Sequence, residues 1–300
     1  MQVASALGEF KRPYPNEAVL LMKYILVLIC LYLPFSVQAD IQDIREPDLK
    51  KIKYFFENLV DRHDFSYTIF GSKPMSLADF CLEVPSGLSP YRWIRSQFFT
   101  FKRRASLKTW YKYRDDFNLK DFIFLDEETD LISCLVLILI NKKNMLRILH
   151  DHEPLFKEEL GDSFTPESFL EKLEKRQISL AMAIHKSQKL LGIMLGYGER
   201  NATLFQERCD LQEEIEKRKK LNLSEDEALA VRLNAIESQS GCFSELDAEA
   251  VIHPIYFLAD VSHPETVVLK QQYERERQRI VELRKKHDFM DHVLRRLIGI

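Results

Sequence analysis

The chain has little glycine or proline, 9 and 11 residues in 300, and so few turn formers predict long helices. It also lacks an excess of one charge: 43 Lys and Arg stand against 46 Asp and Glu, for a net charge of −3. That balance excludes a globally basic nucleic-acid binder, and no nucleic-acid partner is expected. No GxSxG, HExxH, SxxK or Walker pattern occurs, and neither a CxxC pair nor a Cys/His metal spacing is present. Neither a metal nor another cofactor is therefore expected, and the balance moves away from an enzyme. Internal repeats and low-complexity stretches are missing as well.

What remains is the composition of an ordinary globular protein, 46% hydrophobic and 30% charged. Its most specific signal is Met22 to Ala39, MKYILVLICLYLPFSVQA. Lys23 supplies a positive charge, Tyr24 to Leu33 form an apolar run, Pro34 breaks it, and Val37-Gln38-Ala39 offers the small residues that a signal peptidase reads. Residues 22–39 are expected to be a signal peptide cleaved before Asp40, or else an uncleaved membrane anchor with its amino terminus in the cytoplasm. Ile29 before Cys30 excludes a lipoprotein site. Residues 1–21 are an unusual preface to a signal, and Met22 reads as the start of translation. The expected location is the periplasm, the envelope or the exterior.

Cys81, Cys134, Cys209 and Cys242 lie beyond the cleavage point, and an oxidising compartment permits up to two disulfides in any of three pairings. Cys134 in an apolar run and Cys209 in a helical stretch also read as buried free thiols.

Along the chain, Pro47 opens an amphipathic helix to about Val60, and Tyr91 to Tyr113 is expected to be helical, either continuous or broken. Phe65 to Phe70, FSYTIF, reads as a strand, as do Asp121 to Leu125 and Val251 to Leu258, the last an edge strand because of Pro254. Leu131 to Ile140, LISCLVLILI, is expected to be a core helix, and Ile178 to Leu195 a central one. Thr165-Pro166-Glu167 is a helix start, and Ser224-Glu225-Asp226-Glu227 a capping box. A last helix covers 264–297, its apolar positions Ile280, Leu283, Met290, Leu294 and Leu297 at 3-4 spacing. It predicts antiparallel packing or a homo-oligomeric coil. The expected fold is α+β, predominantly helical: a single domain over 40–300 with a small mixed or antiparallel sheet.

The segments YTIFGSKPMS (Tyr67 to Ser76), INKKN (Ile140 to Asn144) and LLGIMLGYGERNATLF (Leu190 to Phe205) resemble, in this order, uncharacterised exported proteins of chlamydia-like and other intracellular bacteria. The resemblance implies a bacterial source and export to the envelope or a host. It carries no catalytic residue, because no activity defines the group.

Two stretches are candidate sites. Tyr91 to Arg114 carries Arg92, Arg95, Lys102, Arg103, Arg104, Lys108 and Lys112 without an acid, interleaved with aromatics that include Trp93 and Trp110. Cations and amphipathic rings suit an anionic membrane surface or an acidic protein partner; the alternative is an aromatic core helix with a solvated basic back. The break at Gly196-Tyr197-Gly198 places Tyr197, Glu199, Arg200 and Asn201 as a candidate pocket, which would make the protein an envelope hydrolase; otherwise it is helix punctuation. A membrane-anchored oligomeric scaffold is the third reading. His150-Asp151-His152-Glu153 and the His287 to His292 cluster contain ligand residue types, but their spacing suits solvated helix surface.

Overall fold

In the computed structural model, the described residues are 44–81, 89–128, 134–221, 226–244 and 252–299. They belong to one compact unit, Asp40–Ile300. The segment expected to be a signal peptide or anchor, residues 22–39, lies outside them. No helix among the described residues is long and apolar enough to cross a membrane.

The order is α1 (Glu46–Arg62), α2 (Phe65–Phe70), β1 (Met75–Cys81), α3 (Pro90–Tyr113), β2 (Phe122–Glu128) and β3 (Cys134–Asn141). Next come α4 (Lys142–Asp151), α5 (Glu153–Leu160), α6 (Pro166–Glu174), α7 (Leu180–Ala183) and α8 (Gln188–Met194). The chain continues through α9 (Glu199–Lys220), α10 (Glu227–Gln239), β4 (Gly241–Cys242), β5 (Leu258–Ala259), α11 (Pro264–Arg284) and α12 (Phe289–Ile298). The protein is predominantly helical α+β, as expected.

The organising element is β3. It pairs antiparallel with β1 on one side and β2 on the other, giving the order β1-β3-β2. Leu137 and Leu139 face a core with Phe55, Phe56, Trp110, Ile280 and Leu294 from α1, α3, α11 and α12. Ile138 and Ile140 face a second core with Met145, Leu149, Phe156, Leu173 and Ile193 from α4 to α8. The sheet is therefore a wall between two hydrophobic layers. This corrects the core helix expected at 131–140. A strand covered on both faces needs apolar residues at every position, so its sequence shows an unbroken run and no alternation.

The opposite correction applies to FSYTIF, which is helical. Phe65, Ser66, Tyr67, Thr68 and Ile69 are all buried, so the segment has no solvent face to set a period. Contacts with β1, β3 and α11 override its β-forming composition. The strand lies one step later, at β1. Of the strand expected at 251–258, only Leu258 among the described residues belongs to a ladder, the two-residue pairing of β4 with β5.

The central helix expected at 178–195 is two short ones, separated where His185 and Lys186 take φ of 51° and 60°. The last helix likewise breaks after Arg284, and α12 turns back onto α1 and α2. Ile280, Leu294 and Leu297 are buried in the chain's own core. Thr165 caps α6 as expected, its Oγ1 accepting from Ser168 N at 3.3 Å. The Ser224 capping box lies outside the described residues, and Asp226 caps α10.

The cysteine question is resolved by register. Cys81 and Cys134 stand opposite each other at the end of the β1–β3 ladder and form a disulfide, whereas Cys209 and Cys242 are free. Cys134 is not the buried thiol expected from its apolar neighbours.

Candidate functional site

The Gly196-Tyr197-Gly198 break is a joint at which segments far apart in sequence meet. Lys73 is fully buried, and its ammonium donates to Met75 O at 2.8 Å and Leu195 O at 2.6 Å. Asp64 Oδ2 lies 3.3 Å away and the Tyr197 ring centroid 4.9 Å. Burial pushes the Lys73 pKa down, while Asp64 opposes the shift. Asn141 at the end of β3 donates to Thr68 O at 3.2 Å, and Asn144 donates to Gly71 O at 3.1 Å. The segments Tyr67 to Ser76, Ile140 to Asn144 and Leu190 to Phe205 thus close on one another around Lys73.

The candidate pocket residues are engaged within this joint. Glu265, in the first turn of α11, accepts from Glu199 N at 2.9 Å and Arg200 N at 3.0 Å, so a carboxylate of the chain itself occupies the amino terminus of α9. Arg200 Nε reaches Asp260 at 3.3 Å. Asn201 is buried; it donates to Tyr197 O at 2.8 Å and accepts from Asp260 N at 3.0 Å and Thr266 Oγ1 at 3.1 Å. Tyr197 stacks on Phe257 with centroids 4.0 Å apart, and burial raises its pKa, so the phenol stays neutral.

Both glycines serve the same closure. Gly196 and Gly198 have φ of 76° and 85°, and a Cβ would lie 2.5 Å from Tyr273 Oη at the first and 2.7 Å from the Glu265 carboxyl at the second. The structural reading of this break is the one the geometry supports, since its polar groups are used in binding the chain to itself. Among the described residues no group of His, Cys, Asp and Glu could hold a metal ion. His150 pairs with Glu167 at 2.9 Å, and His152 with Glu199 at 3.4 Å.

Helix α3 is different. Its carboxyl-terminal half is core: Trp110 is 1% exposed, stacked on Phe55 at 5.9 Å and edge-on to Phe56 at 5.0 Å. Arg103 folds inward over the Phe80 ring at 4.0 Å, and Arg62 covers Phe99 at 4.4 Å. Trp110 is therefore unavailable to a partner, which corrects its assignment as a contact residue, whereas Arg103 stays partly exposed with its guanidinium turned onto Phe80. Lys112 is exposed but held near Tyr113 Oη, at 2.9 Å, and Asp48, at 3.3 Å.

The amino-terminal half presents an outward face to solvent. Arg92, Trp93 and Arg95 are exposed there, and Lys102, Arg104 and Lys108 continue the exposed cations along the helix. Phe98 and Phe101, two of the interleaved aromatics, and Tyr91 and Ile94, which were not assigned from sequence, join them: Tyr91, Ile94, Phe98 and Phe101 are 76, 63, 62 and 69% exposed. Their 3-4-3 spacing was the available signal. It was masked because Phe99, Leu107 and Trp110 supply a second apolar face, and two opposed stripes cancel in any measure of amphipathicity.

The root of α3 is fastened to α1 through Asp48. Its carboxylate accepts from Tyr113 Oη at 2.8 Å and Arg45 Nη2 at 2.9 Å. These bonds, with those from Lys112 and Lys51, hold its pKa well below the usual carboxylate range. A pKa lowered by folding stabilises the native state above the unfolded pKa of about 3.9 and loses that contribution as pH falls below it. Urea unfolding midpoints followed between about pH 5 and about pH 2 are accordingly expected to drop more steeply for wild type than for Asp48→Asn. Parallel profiles would mean that the carboxylate contributes nothing.

Comparison with protein-family models, curated proteins and solved structures finds no match to this chain.

Proposed function

We propose that the protein is an exported, non-enzymatic interaction protein of the bacterial envelope or of a host-directed pathway, docking on an anionic surface through the amino-terminal half of α3. The observation that carries this reading is the exposure of Arg92, Arg95 and Lys102 together with large aromatic side chains on one helix that has no acid from Tyr91 to Arg114. Export draws support from the Met22 to Ala39 segment, and a disulfide at the sheet end suits an oxidising compartment. The packed joint around Lys73 supplies no such surface.

The test uses residues 40–300 with anionic vesicles and with polyglutamate-coated beads. Each Lys or Arg near an anionic surface contributes about 1 kcal/mol, so the Arg92→Gln/Arg95→Gln/Lys102→Gln variant should bind at least about tenfold more weakly. Wild-type binding should also weaken between ~0.1 M and ~1 M salt, as the screening length shrinks from about 10 Å to about 3 Å. Wild-type protein that binds neither anionic surface, or that binds neutral vesicles equally well, defeats the reading.

A further inference from the structure

We propose that the anionic surface met by α3 is a lipid bilayer, and that Tyr91, Ile94, Phe98 and Phe101 enter its headgroup–acyl boundary as a monotopic ridge. This rests on the anionic-docking reading and specifies its partner. At 3.6 residues per turn the four positions fall on one face and extend along about 15 Å of helix. That face lies opposite the side on which Leu107 and Trp110 are buried, so the ridge points away from the core.

The charges are arranged as a membrane interface requires. Arg95 and Lys102 lie along one flank of the ridge and Arg104 along the other, all exposed. Lys102 Nζ sits over the Phe98 ring, 4.7 Å from its centre, so a cation is held directly beside the ridge. Trp93, 49% exposed, adds an amphipathic ring of the kind that suits a headgroup layer. An interfacial helix of this kind seats its apolar side chains about 5–10 Å into the boundary while its cations meet lipid phosphates.

Other occupants fit less well. The spacing alone would suit a helical dimer seam. In a two-fold contact, however, the exposed Arg95 and Lys102 would be brought near their own copies, and the helix carries no acid between Tyr91 and Arg114 to pair with them. An acidic protein would need a groove shaped to a convex ridge whose side chains are each more than 60% exposed. A fluid bilayer accepts that shape without a preformed groove.

The experiment places Ile94→Asn/Phe98→Asn/Phe101→Asn in residues 40–300 and measures binding to anionic vesicles and to polyglutamate beads at equal salt. These side chains stand outside both cores, so the thermal midpoint should stay at the wild-type value. A Tyr91→Asn/Phe98→Asn pair serves as the second variant. Vesicle affinity should fall by about 100-fold in the triple variant, from loss of buried apolar area, while bead binding is retained. Wild-type protein should also raise the pressure of an anionic lipid monolayer, and the variant should not. If wild type and variant bind vesicles alike, or if wild type binds beads but not vesicles, the bilayer proposal is overturned and anionic docking stands. Loss of binding to both surfaces by wild type would instead remove the docking reading itself. Self-association of wild type that the triple variant abolishes, without vesicle binding, would assign the ridge to a second copy and overturn the proposal.

Discussion

Replacing Lys73 with Met is expected to destabilise the protein by about 3 kcal/mol, because it leaves a largely buried carboxylate without its counter-charge. The ammonium is fully buried, donates to the carbonyls of Met75 and Leu195, and faces Asp64 Oδ2 at 3.3 Å. A methionine has similar length and fills the space, so the loss is electrostatic and not a cavity. The cost therefore includes the desolvated Asp64 and two carbonyls deprived of a donor. Adding Asp64→Asn should recover part of it, since the neutral amide does not require a cation. Urea unfolding of the two single variants and the double variant gives the coupling directly. A Lys73→Met protein within about 1 kcal/mol of wild type would show that the pair contributes little net stability, as some buried ion pairs do. The consequence would be spatially broad: Lys73 lies beside the segments of α8 and β1 that connect the two core layers.

Removing the Cys81–Cys134 bond should cost a similar amount by another route. The cysteines are separated by 53 positions, and cross-linking a loop of that size restricts the unfolded chain by about 4 kcal/mol in the loop-entropy account. For a domain of this size the Cys81→Ser/Cys134→Ser variant should melt on the order of 10 °C below wild type. Thiol titration of denatured residues 40–300 provides the covalent check: Cys209 and Cys242 react before reduction, and Cys81 and Cys134 join them only afterwards. An unchanged melting temperature would mean that the β1–β3 ladder holds its end without the bond. The disulfide also sits at the end of β1, before the chain enters α3, so the variant should be compared with wild type in vesicle binding. Retained affinity would separate the strap's effect on stability from the action of the ridge.

These expectations show how differently parts of the molecule could be read. The amphipathic helix after Pro47, the Thr165 cap and the length of α3 were all legible, because each depends on local periodicity or on a side chain bonding to its own first turn. β2 was legible for the same reason. The β3 run was not, since burial on both faces erases the alternation that identifies a strand. FSYTIF had the composition of a strand, yet the space between β1 and α11 holds it as a helix.

The candidate sites divide along the same line. Sequence alone determined that Tyr91 to Arg114 is a helix crowded with cations and aromatics, that no familiar catalytic pattern exists, and that the fold is mainly helical with a small sheet. Those properties follow from composition and near-neighbour spacing. Only the tertiary structure decided that Leu107 and Trp110 face inward while Ile94 and Phe101 face outward, because two apolar stripes on one helix are equivalent until a body packs against one. It also decided that Tyr197 to Asn201 is a joint: Lys73, Glu265 and Thr266 reach it from segments far away in the chain, and no local pattern can show which distant carboxylate or ammonium will arrive.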